Sequence, residues 1–266
     1  MARFDDYQHL TFAREGRILT IMMNRPDALN AANALLHNEL ARVFVDAQND
    51  PDSDVVVLTG AGRAFSAGGD LAWMQEAIDE PARFHVTARE AKQILFSQLA
   101  LEKPLIARIN GHAAGLGATL AVCCDVAIAS AKAKISDPHV AVGLVAGDGG
   151  ALIWPQLVGY MRAREYLLTG DAVPAPEAAR IGLINRAVAP EVLDDEVYGL
   201  ARRLARGATQ AIRWTKVTMN LPLLQLIHAH ADAGLAYEIL TNESPDHAEA
   251  VRAFAQGRSP AFGKKK

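Results

Sequence analysis

The sequence predicts an α/β protein whose last third is helical. Apolar, β-branched segments of strand length recur up to Val188, and segments with the apolar spacing of helices lie between them. Beyond Pro190 no strand-like segment follows, and Gly207, Pro222 and Pro245 are expected to interrupt the helical pattern. This alternation favours a sheet covered by helices, followed by a helical region.

The composition limits the classes of function. The chain has 266 residues, which suit one large domain or one domain with a small appendage. A net charge of -3 gives no basic field for nucleic acid. No leader-like apolar region and no apolar run of the ~20 residues that span a bilayer is present, so we expect a cytoplasmic protein with no membrane partner. Cys123 and Cys124 are adjacent, without metal-ligand spacing, which fits a reducing compartment.

The first elements follow from local patterns. Residues 7–13 and 18–23 flank a turn that contains Gly16, which predicts a hairpin. Residues 33–49 carry apolar side chains on one helical face, and residues 55–59 form a β-branched strand.

The middle of the chain contains two glycine-rich loops, and each loop follows a strand and precedes a helix. The first loop follows residue 59 and ends at Asp70, a good N-cap for the helix after it; a second helix begins at Pro81. The second loop contains Gly111, Gly115 and Gly117 and follows a strand at residues 104–109.

The remaining elements complete the predicted alternation. Strands are expected at residues 125–130, 134–136 and 184–188, and helices at 149–158, 161–168 and 176–181. Ser244 followed by Pro245 suits the N-cap and first position of the last helix.

The two glycine loops suggest a common task. Free N–H groups at the start of a helix suit an anion or an oxyanion, and two loops about fifty residues apart could each supply one N–H to the same oxygen. The alternative is that the glycines only allow close packing at two turns.

Four segments carry a resemblance to a known family. Residues 24–31, 64–70, 110–117 with Cys124-Asp125, and 178–185 resemble the enoyl-CoA hydratase/isomerase (crotonase) superfamily over nearly the whole chain. The resemblance implies a crotonase-like spiral of ββα units at residues 1–190 that holds an acyl-CoA site. It also implies a helical region at residues 191–266 that packs homotrimers, often paired as homohexamers.

The resemblance also implies a binding site. The N–H groups of Gly69 and Leu116 would hold the thioester oxygen of an acyl-CoA, so that charge on an enolate is stabilised. Coenzyme A would enter as part of the substrate, with no separate cofactor and no metal. Its contacts would come from Arg25, Asp27, Ala28, Leu29 and Ala67, and from Phe262 with the terminal lysines Lys264, Lys265 and Lys266 reaching a neighbouring subunit.

The acid/base residues depart from the family pattern. Hydratases have glutamates at the positions of Thr119 and His139, so both carboxylates are missing. Thr119 could hold a water. His139 could transfer protons near neutral pH, or be a buried, hydrogen-bonded histidine. Asp148 could transfer protons, orient His139, or be only the N-cap of a helix.

Other residues near these motifs have less specific expectations. Trp73, Met74 and Trp154 are candidates either for the wall of an acyl pocket or for core packing. Asp125 is expected to be structural. His112 lies beside the second glycine loop, at a position where the family resemblance implies a non-catalytic residue. Asp137 is expected to be a turn residue.

The predicted function is that of an acyl-CoA-processing enzyme that passes through an oxyanion-stabilised enolate. Hydration of a 2-enoyl-CoA is the leading expectation, with His139 and Asp148 moving protons. Isomerisation is weakened too, because isomerases of the family that the chain resembles normally retain the second glutamate, which His139 replaces here. A decarboxylase or hydrolase of the same superfamily stays open, as does a CoA-binding protein without turnover.

Overall fold

The computed structural model describes residues 4–263, and its centre is a mostly parallel sheet. The strands of this sheet, in spatial order, are β1 (Leu10–Glu15), β2 (Ile18–Met23), β3 (Val55–Gly60), β5 (Leu105–Ile109), β7 (Val126–Ser130) and β10 (Arg186–Val188). The predicted hairpin is confirmed because β1 and β2 are antiparallel, and the neighbouring pairs from β2 to β10 are parallel.

A second, smaller sheet lies beside the first. Its strands, in spatial order, are β4 (Ala64–Ser66), β6 (His112–Ala114), β8 (Lys134–Ser136) and β9 (Val173–Pro174). The prediction that residues 64–66 and 112–114 belong to glycine loops is wrong, because they form β4 and β6. Strands of three residues show no readable alternation, and their pairing depends on tertiary contacts. With β4 and β6 added, each glycine-loop unit is strand, short strand, helix, which confirms the expected ββα units.

The helices begin and end close to the predicted positions. They are α1 (Ala34–Asn49), α2 (Leu71–Asp79), α3 (Ala82–Ala100), α4 (Leu116–Val122), α5 (Gly150–Val158), α6 (Tyr160–Thr169), α7 (Ala175–Ile181), α8 (Leu193–Ala205), α9 (Thr209–Asn242) and α10 (Pro245–Ala255). Both predicted N-caps are confirmed: Asp70 accepts a hydrogen bond from the backbone N–H of Ala72, and Ser244 accepts one from that of His247.

The long helix α9 contradicts the interruption expected at Pro222. The helix spans 34 residues with Pro222 inside it. An internal proline removes one backbone hydrogen bond. Packing against α3 and α5 holds the helix together, because α9 buries Ile227, Ala231 and Leu235 on its inner face.

Helices cover both faces of the main sheet. On one face α8 packs its Leu193, Val197 and Ala201 against apolar side chains of the strands. On the other face α1, α3 and α4 enclose the larger core. Within residues 4–263, no helix combines the length and apolar character that crossing a bilayer requires. Since α9 packs on α3 and α5, the C-terminal helices form part of the same body as the glycine loops.

A buried glutamate fixes the start of the hairpin. The carboxylate of Glu39 accepts hydrogen bonds from the backbone N–H groups of Gln8 (2.6 Å), His9 (3.0 Å) and Leu10 (3.0 Å). The substitution Glu39→Gln replaces one acceptor oxygen with a donor, and we expect it to lower the free energy of unfolding by roughly 2–3 kcal/mol. Urea denaturation measures this, with Glu15→Gln at an exposed position as the control. Equal stabilities of the two variants would contradict the assignment.

Candidate active site

The two glycine loops meet at Gly68 and Gly115. Both residues have positive φ, +89° and +51°. A Cβ atom on Gly68 would lie 2.9 Å from the carbonyl oxygen of Ala114 and 3.6 Å from Cα of Gly115. A larger residue would force the loops apart, so glycine is required for this contact.

Next to this contact lie the two backbone N–H groups that the sequence analysis singled out. Gly69 follows Gly68, and Leu116 is the first residue of α4. In the part of the chain that the structure describes, neither N–H donates a hydrogen bond. Both residues line one cavity, so the structure brings the two predicted donors to the same space.

This cavity has a volume of about 610 Å³ and a mostly apolar wall. Trp73, Met74, Phe84 and Phe254 belong to the wall, whereas Trp154 is buried in the core and does not reach it. Of the two tryptophans, Trp73 therefore belongs to the pocket wall and Trp154 to the core. The polar side chains on the wall are His37, Asp70, Thr87, His139, Asp148 and Glu238.

His139 lies beside the second glycine loop. A Cβ atom on Gly115 would be 3.8 Å from Cε1 of the imidazole. Nδ1 of His139 is hydrogen-bonded to Oδ1 of Asp137, and Nε2 lies 3.7 Å from Oδ2 of Asp148. Asp137 therefore does more than the turn role expected of it, because its carboxylate orients the imidazole. An orienting role of Asp148, which lies on the other side of the ring, stays a prediction.

Local backbone chemistry explains this arrangement. His139 opens a short 3-10 turn after Pro138, which directs the ring inward. A side chain on Gly150 would overlap Oδ2 of Asp137, so a glycine is needed where α5 begins. The N-cap of α5 is Gly149, and the carboxylate of Asp148 instead accepts a hydrogen bond of 3.3 Å from the hydroxyl of Thr119.

Glu238 completes the cluster, and it was not among the predicted site residues. It lies on α9, its Oε1 is 4.0 Å from Nε2 of His139, and its Oε2 has no partner within the described residues. A signal was available: Ile227, Ala231 and Leu235 mark an apolar stripe whose next position, three residues on, is Glu238. An ionisable side chain on a buried stripe is a candidate for a functional site.

Comparison with known proteins identifies the family. The enoyl-CoA hydratase/isomerase family model matches residues 13–265. The chain belongs to the enoyl-CoA hydratase/isomerase family. The predicted resemblance and the crotonase-type fold are thereby confirmed, and the chain is an acyl-CoA-processing enzyme of this family.

Three relatives show the range of this similarity. A crotonyl-CoA hydratase from Syntrophomonas wolfei is 34% identical over 263 residues, which cover 96% of this chain and 98% of that protein. An enoyl-CoA hydratase/isomerase structure from Mycobacterium paratuberculosis has a TM-score of 0.89 at 34% identity and covers 93% of this chain and 99% of its own. A β-diketone hydrolase from Anabaena sp. PCC 7120, bound to (S)-3-oxocyclohexyl acetic acid, has a TM-score of 0.84 at 30% identity and covers 90% and 96%.

Burial and neighbouring charges shift the pKa values of His139, Asp148 and Glu238. Burial alone would lower the pKa of His139, but the carboxylates of Asp137, Asp148 and Glu238 outweigh it and raise that pKa well above its usual value. Burial also raises the pKa of Asp148, although the nearby imidazole opposes the shift. Burial, assisted by the charge of Asp148, raises the pKa of Glu238 to about 8. At neutral pH the imidazole therefore carries a proton that it can donate, and Glu238 is mostly protonated.

The contact between Asp137 and His139 leads to a prediction. Asp137→Asn removes a charge that raises the pKa of His139, so the imidazole of the variant is expected to lose its proton at a lower pH than in the wild type. Titration of the histidine followed by NMR measures this shift. A His139 titration that is unchanged in the variant would show that Asp137 does not govern the protonation of the ring.

Of the residues predicted to contact coenzyme A, some line the cavity and others do not. Ala28 and Ala67 line the cavity, and Asp27 lies with Ala28 in a 3-10 turn that ends at Leu29. Arg25 is not free, because it pairs with Asp70 (3.1 Å) and donates to the carbonyl of Ala31. A contact between Arg25 and a phosphate of coenzyme A stays a prediction. It would require the guanidinium to leave Asp70 and bind the phosphate instead.

Three other predictions concern residues outside the cavity. Phe262 is exposed and does not line the wall, and the terminal lysines Lys264, Lys265 and Lys266 lie outside the described residues. Asp125 accepts a hydrogen bond from the backbone N–H of Leu105, which is the structural contact expected of it, and His112 accepts one from the backbone N–H of Lys134.

The cluster has the spacing of a metal site as well. Asp137, His139 and Asp148 each offer a ligand atom, and these atoms lie within 4.8 Å of one another. Nδ1 of His139 is already engaged by Asp137, which leaves Nε2 and the carboxylate of Asp148 directed at the cavity. The expectation that the enzyme needs no metal stays a prediction.

Proposed function

We propose that this enzyme adds water to the double bond of a 2-enoyl-CoA. The observation that carries the proposal is the meeting of His139 and Asp148 with the two unpaired N–H groups in one cavity of a family member. The thioester oxygen would accept hydrogen bonds from Gly69 and Leu116, and the acyl chain would lie against the apolar wall. Loss of one such donor typically costs roughly 3–4 kcal/mol of transition-state stabilisation.

Proton transfer follows from the directions of the pKa shifts. The raised pKa of Asp148 makes its carboxylate a stronger base than that of an ordinary aspartate. Asp148 takes a proton from water while the water oxygen bonds to the β-carbon. The electrons of the double bond move onto the thioester oxygen as an enolate. Nε2 of His139 then gives a proton to the α-carbon, and the C=O bond re-forms. The proton taken by Asp148 returns to His139.

Distances within the cluster suit this path. The gaps from Nε2 of His139 to Asp148 (3.7 Å) and to Glu238 (4.0 Å) are too long for direct hydrogen bonds and fit a bridging water. The hydroxyl of Thr119 fixes the carboxylate of Asp148 from the far side. Glu238, protonated below about pH 8, limits the negative charge of the cluster.

The direct test is the loss of conjugated thioester absorbance on mixing the enzyme with crotonyl-CoA, with chromatographic detection of 3-hydroxybutyryl-CoA. Free thiol release is measured in parallel, because thioester hydrolysis also destroys the absorbance. Hydrated product without thiol release supports the proposal. Binding of crotonyl-CoA with neither product would overturn it and favour a CoA-binding protein without turnover.

A second candidate is hydrolysis of a carbon–carbon bond between two carbonyl groups. It is favoured by the structural similarity to the β-diketone hydrolase from Anabaena and by the absence of both hydratase glutamates. Asp148 would activate water for attack on one carbonyl, and His139 would protonate the departing carbanion. Formation of the ring-opened keto acid from a cyclic 1,3-diketone, detected by chromatography, with no hydration of crotonyl-CoA, would select this reaction.

We also propose that the enzyme assembles as a homotrimer or a pair of trimers. Large apolar side chains on α6 and α9 are exposed in the single chain, among them Met161, Leu168, Trp214 and Met219. Light scattering on the purified protein would return the mass of three or six chains, and a monomer would refute the proposal. A cytoplasmic location stays a prediction.

A further inference from the structure

One polar side chain on the cavity wall has no part in the proposed proton transfer. His37 lies in the first turn of α1 and is only 2% exposed. Its ring packs on the indole of Trp73, with 5.1 Å between ring centroids. A histidine at this depth in a mostly apolar wall must have its hydrogen-bonding groups satisfied, or it destabilises the protein.

One side of the His37 ring is satisfied by the protein. Nδ1 lies 2.7 Å from Oε2 of Glu90, and Oε1 of Glu90 accepts a hydrogen bond of 2.8 Å from the side chain of Asn38. Burial would raise the pKa of Glu90, but the hydrogen bonds from His37 and Asn38 outweigh it and lower that pKa. Glu90 is therefore an anion at neutral pH, and Nδ1 is the nitrogen that donates to it.

The other side of the ring is open. Nε2 of His37 has no hydrogen-bond partner in residues 4–263, and it is not among the buried polar atoms that lack both a partner and accessible surface. Because His37 lines the cavity and its Nδ1 is bonded to Glu90, the ring edge that carries Nε2 is the part of the side chain left to face the space where the acyl group would lie. A structural link between α1 and α3 accounts for the bond to Glu90 but not for an unpaired Nε2 on the cavity side.

We propose that Nε2 of His37 binds an oxygen-bearing group on the acyl chain, so that the substrate is an acyl-CoA with a hydroxyl, carbonyl or carboxylate beyond its thioester. This deepens the proposed function, because it names the acyl class that the same cavity takes. An imidazole nitrogen fixed by a carboxylate on its far side can accept from a hydroxyl or, when protonated, donate to a carbonyl or carboxylate. A plain alkyl chain would leave the nitrogen buried and unpaired.

Saturated thioesters test this without any turnover. Calorimetry compares succinyl-, glutaryl- and adipyl-CoA with butyryl-, valeryl- and hexanoyl-CoA, which pairs each carboxylate with an alkyl group of the same carbon number. 6-Hydroxyhexanoyl-CoA tests the hydroxyl. We expect at least one oxygen-bearing thioester to bind about tenfold or more tightly than its alkyl partner. His37→Phe should remove that preference, because it weakens the oxygen-bearing thioester and lets alkyl thioesters bind at least as tightly as to the wild type.

Two further variants provide a second test and a control. Glu90→Gln keeps the histidine but removes its carboxylate partner. It should therefore weaken the preference for oxygen-bearing thioesters while His37 stays on the cavity wall. His85→Phe, on the exposed side of α3, is the control that should change nothing. A preference that survives in His37→Phe, or is absent at every length in the wild type, overturns the subsite. If alkyl thioesters bind and crotonyl-CoA is hydrated, the proposed function survives that outcome; if no thioester binds, both proposals fail.

Discussion

The variant His139→Gln is expected to lower kcat for a 2-enoyl-CoA by about 10²–10⁴-fold, the range that general acid/base catalysis typically contributes. Glutamine can keep a hydrogen bond to Asp137, but it cannot give a proton to the α-carbon. KM should change little, because the N–H groups of Gly69 and Leu116 and the apolar wall are unaltered. Steady-state kinetics with crotonyl-CoA measures both constants.

The pH dependence of this variant gives a second readout. In the wild type, activity should fall as pH rises through the raised pKa of His139, because the acid form is lost there. The alkaline fall should disappear in His139→Gln. His85→Gln, at an exposed position on α3, is the matched control and should retain wild-type rates. Full activity of His139→Gln would remove the imidazole from the mechanism.

The variant Asp148→Asn is expected to cause a loss of similar size, about 10²–10⁴-fold in kcat. An amide cannot take a proton from water, although it can still accept a hydrogen bond from Thr119. Since burial raises the pKa of Asp148, wild-type activity should fall on the acid side at a higher pH than for an ordinary aspartate, as the carboxylate becomes protonated. Stopped assays across pH measure both the loss and the missing acid limb.

An exposed aspartate on α9 provides the control for Asp148. Asp232 pairs with Lys92 at the surface, and Asp232→Asn should leave kcat and its pH profile unchanged. If Asp148→Asn kept the acid limb, that limb would belong to another carboxyl group. Glu238 would then be the first candidate, because it also lies near Nε2 of His139.

Features with a local chemical signature could be predicted from the sequence. Asp70 and Ser244 are N-caps because their side chains can accept from the first turn, and that property needs no tertiary context. The three-residue strands β4 and β6 could not be predicted, since their pairing exists only once the main sheet is formed. The continuous α9 was missed because the local cost of Pro222 is outweighed by packing on distant helices.

The residues of the candidate site also divide into those that the sequence could predict and those that it could not. Gly69, Leu116 and His139 were predicted from the positions at which the chain matches the motifs of the family it resembles, and they share one cavity. The partner of the imidazole was not predicted, because choosing Asp137 over Asp148 depends on the turn at Pro138 and on space beside Gly150.

Two residues reach the cavity from helices far away in the sequence. His37 lies on α1, and Glu238 lies on α9 some two hundred residues later. Each interrupts an apolar helical stripe, and this is the one signal that the sequence offers for them. Their placement on the cavity wall is a property of helix packing, which the sequence pattern alone does not specify.

Exchange of α-protons tests the central claim most directly, because it isolates enolate formation from the rest of the reaction. Butyryl-CoA has no double bond to hydrate, and NMR in D₂O follows deuterium entering its α-carbon over a pH series that extends above the raised pKa of His139, where the neutral imidazole can take the α-proton. We predict exchange with the wild type and with Asp148→Asn, and its loss in His139→Gln. Absence of exchange with the wild-type enzyme, or undiminished exchange in His139→Gln, would contradict an oxyanion-stabilised enolate protonated by His139.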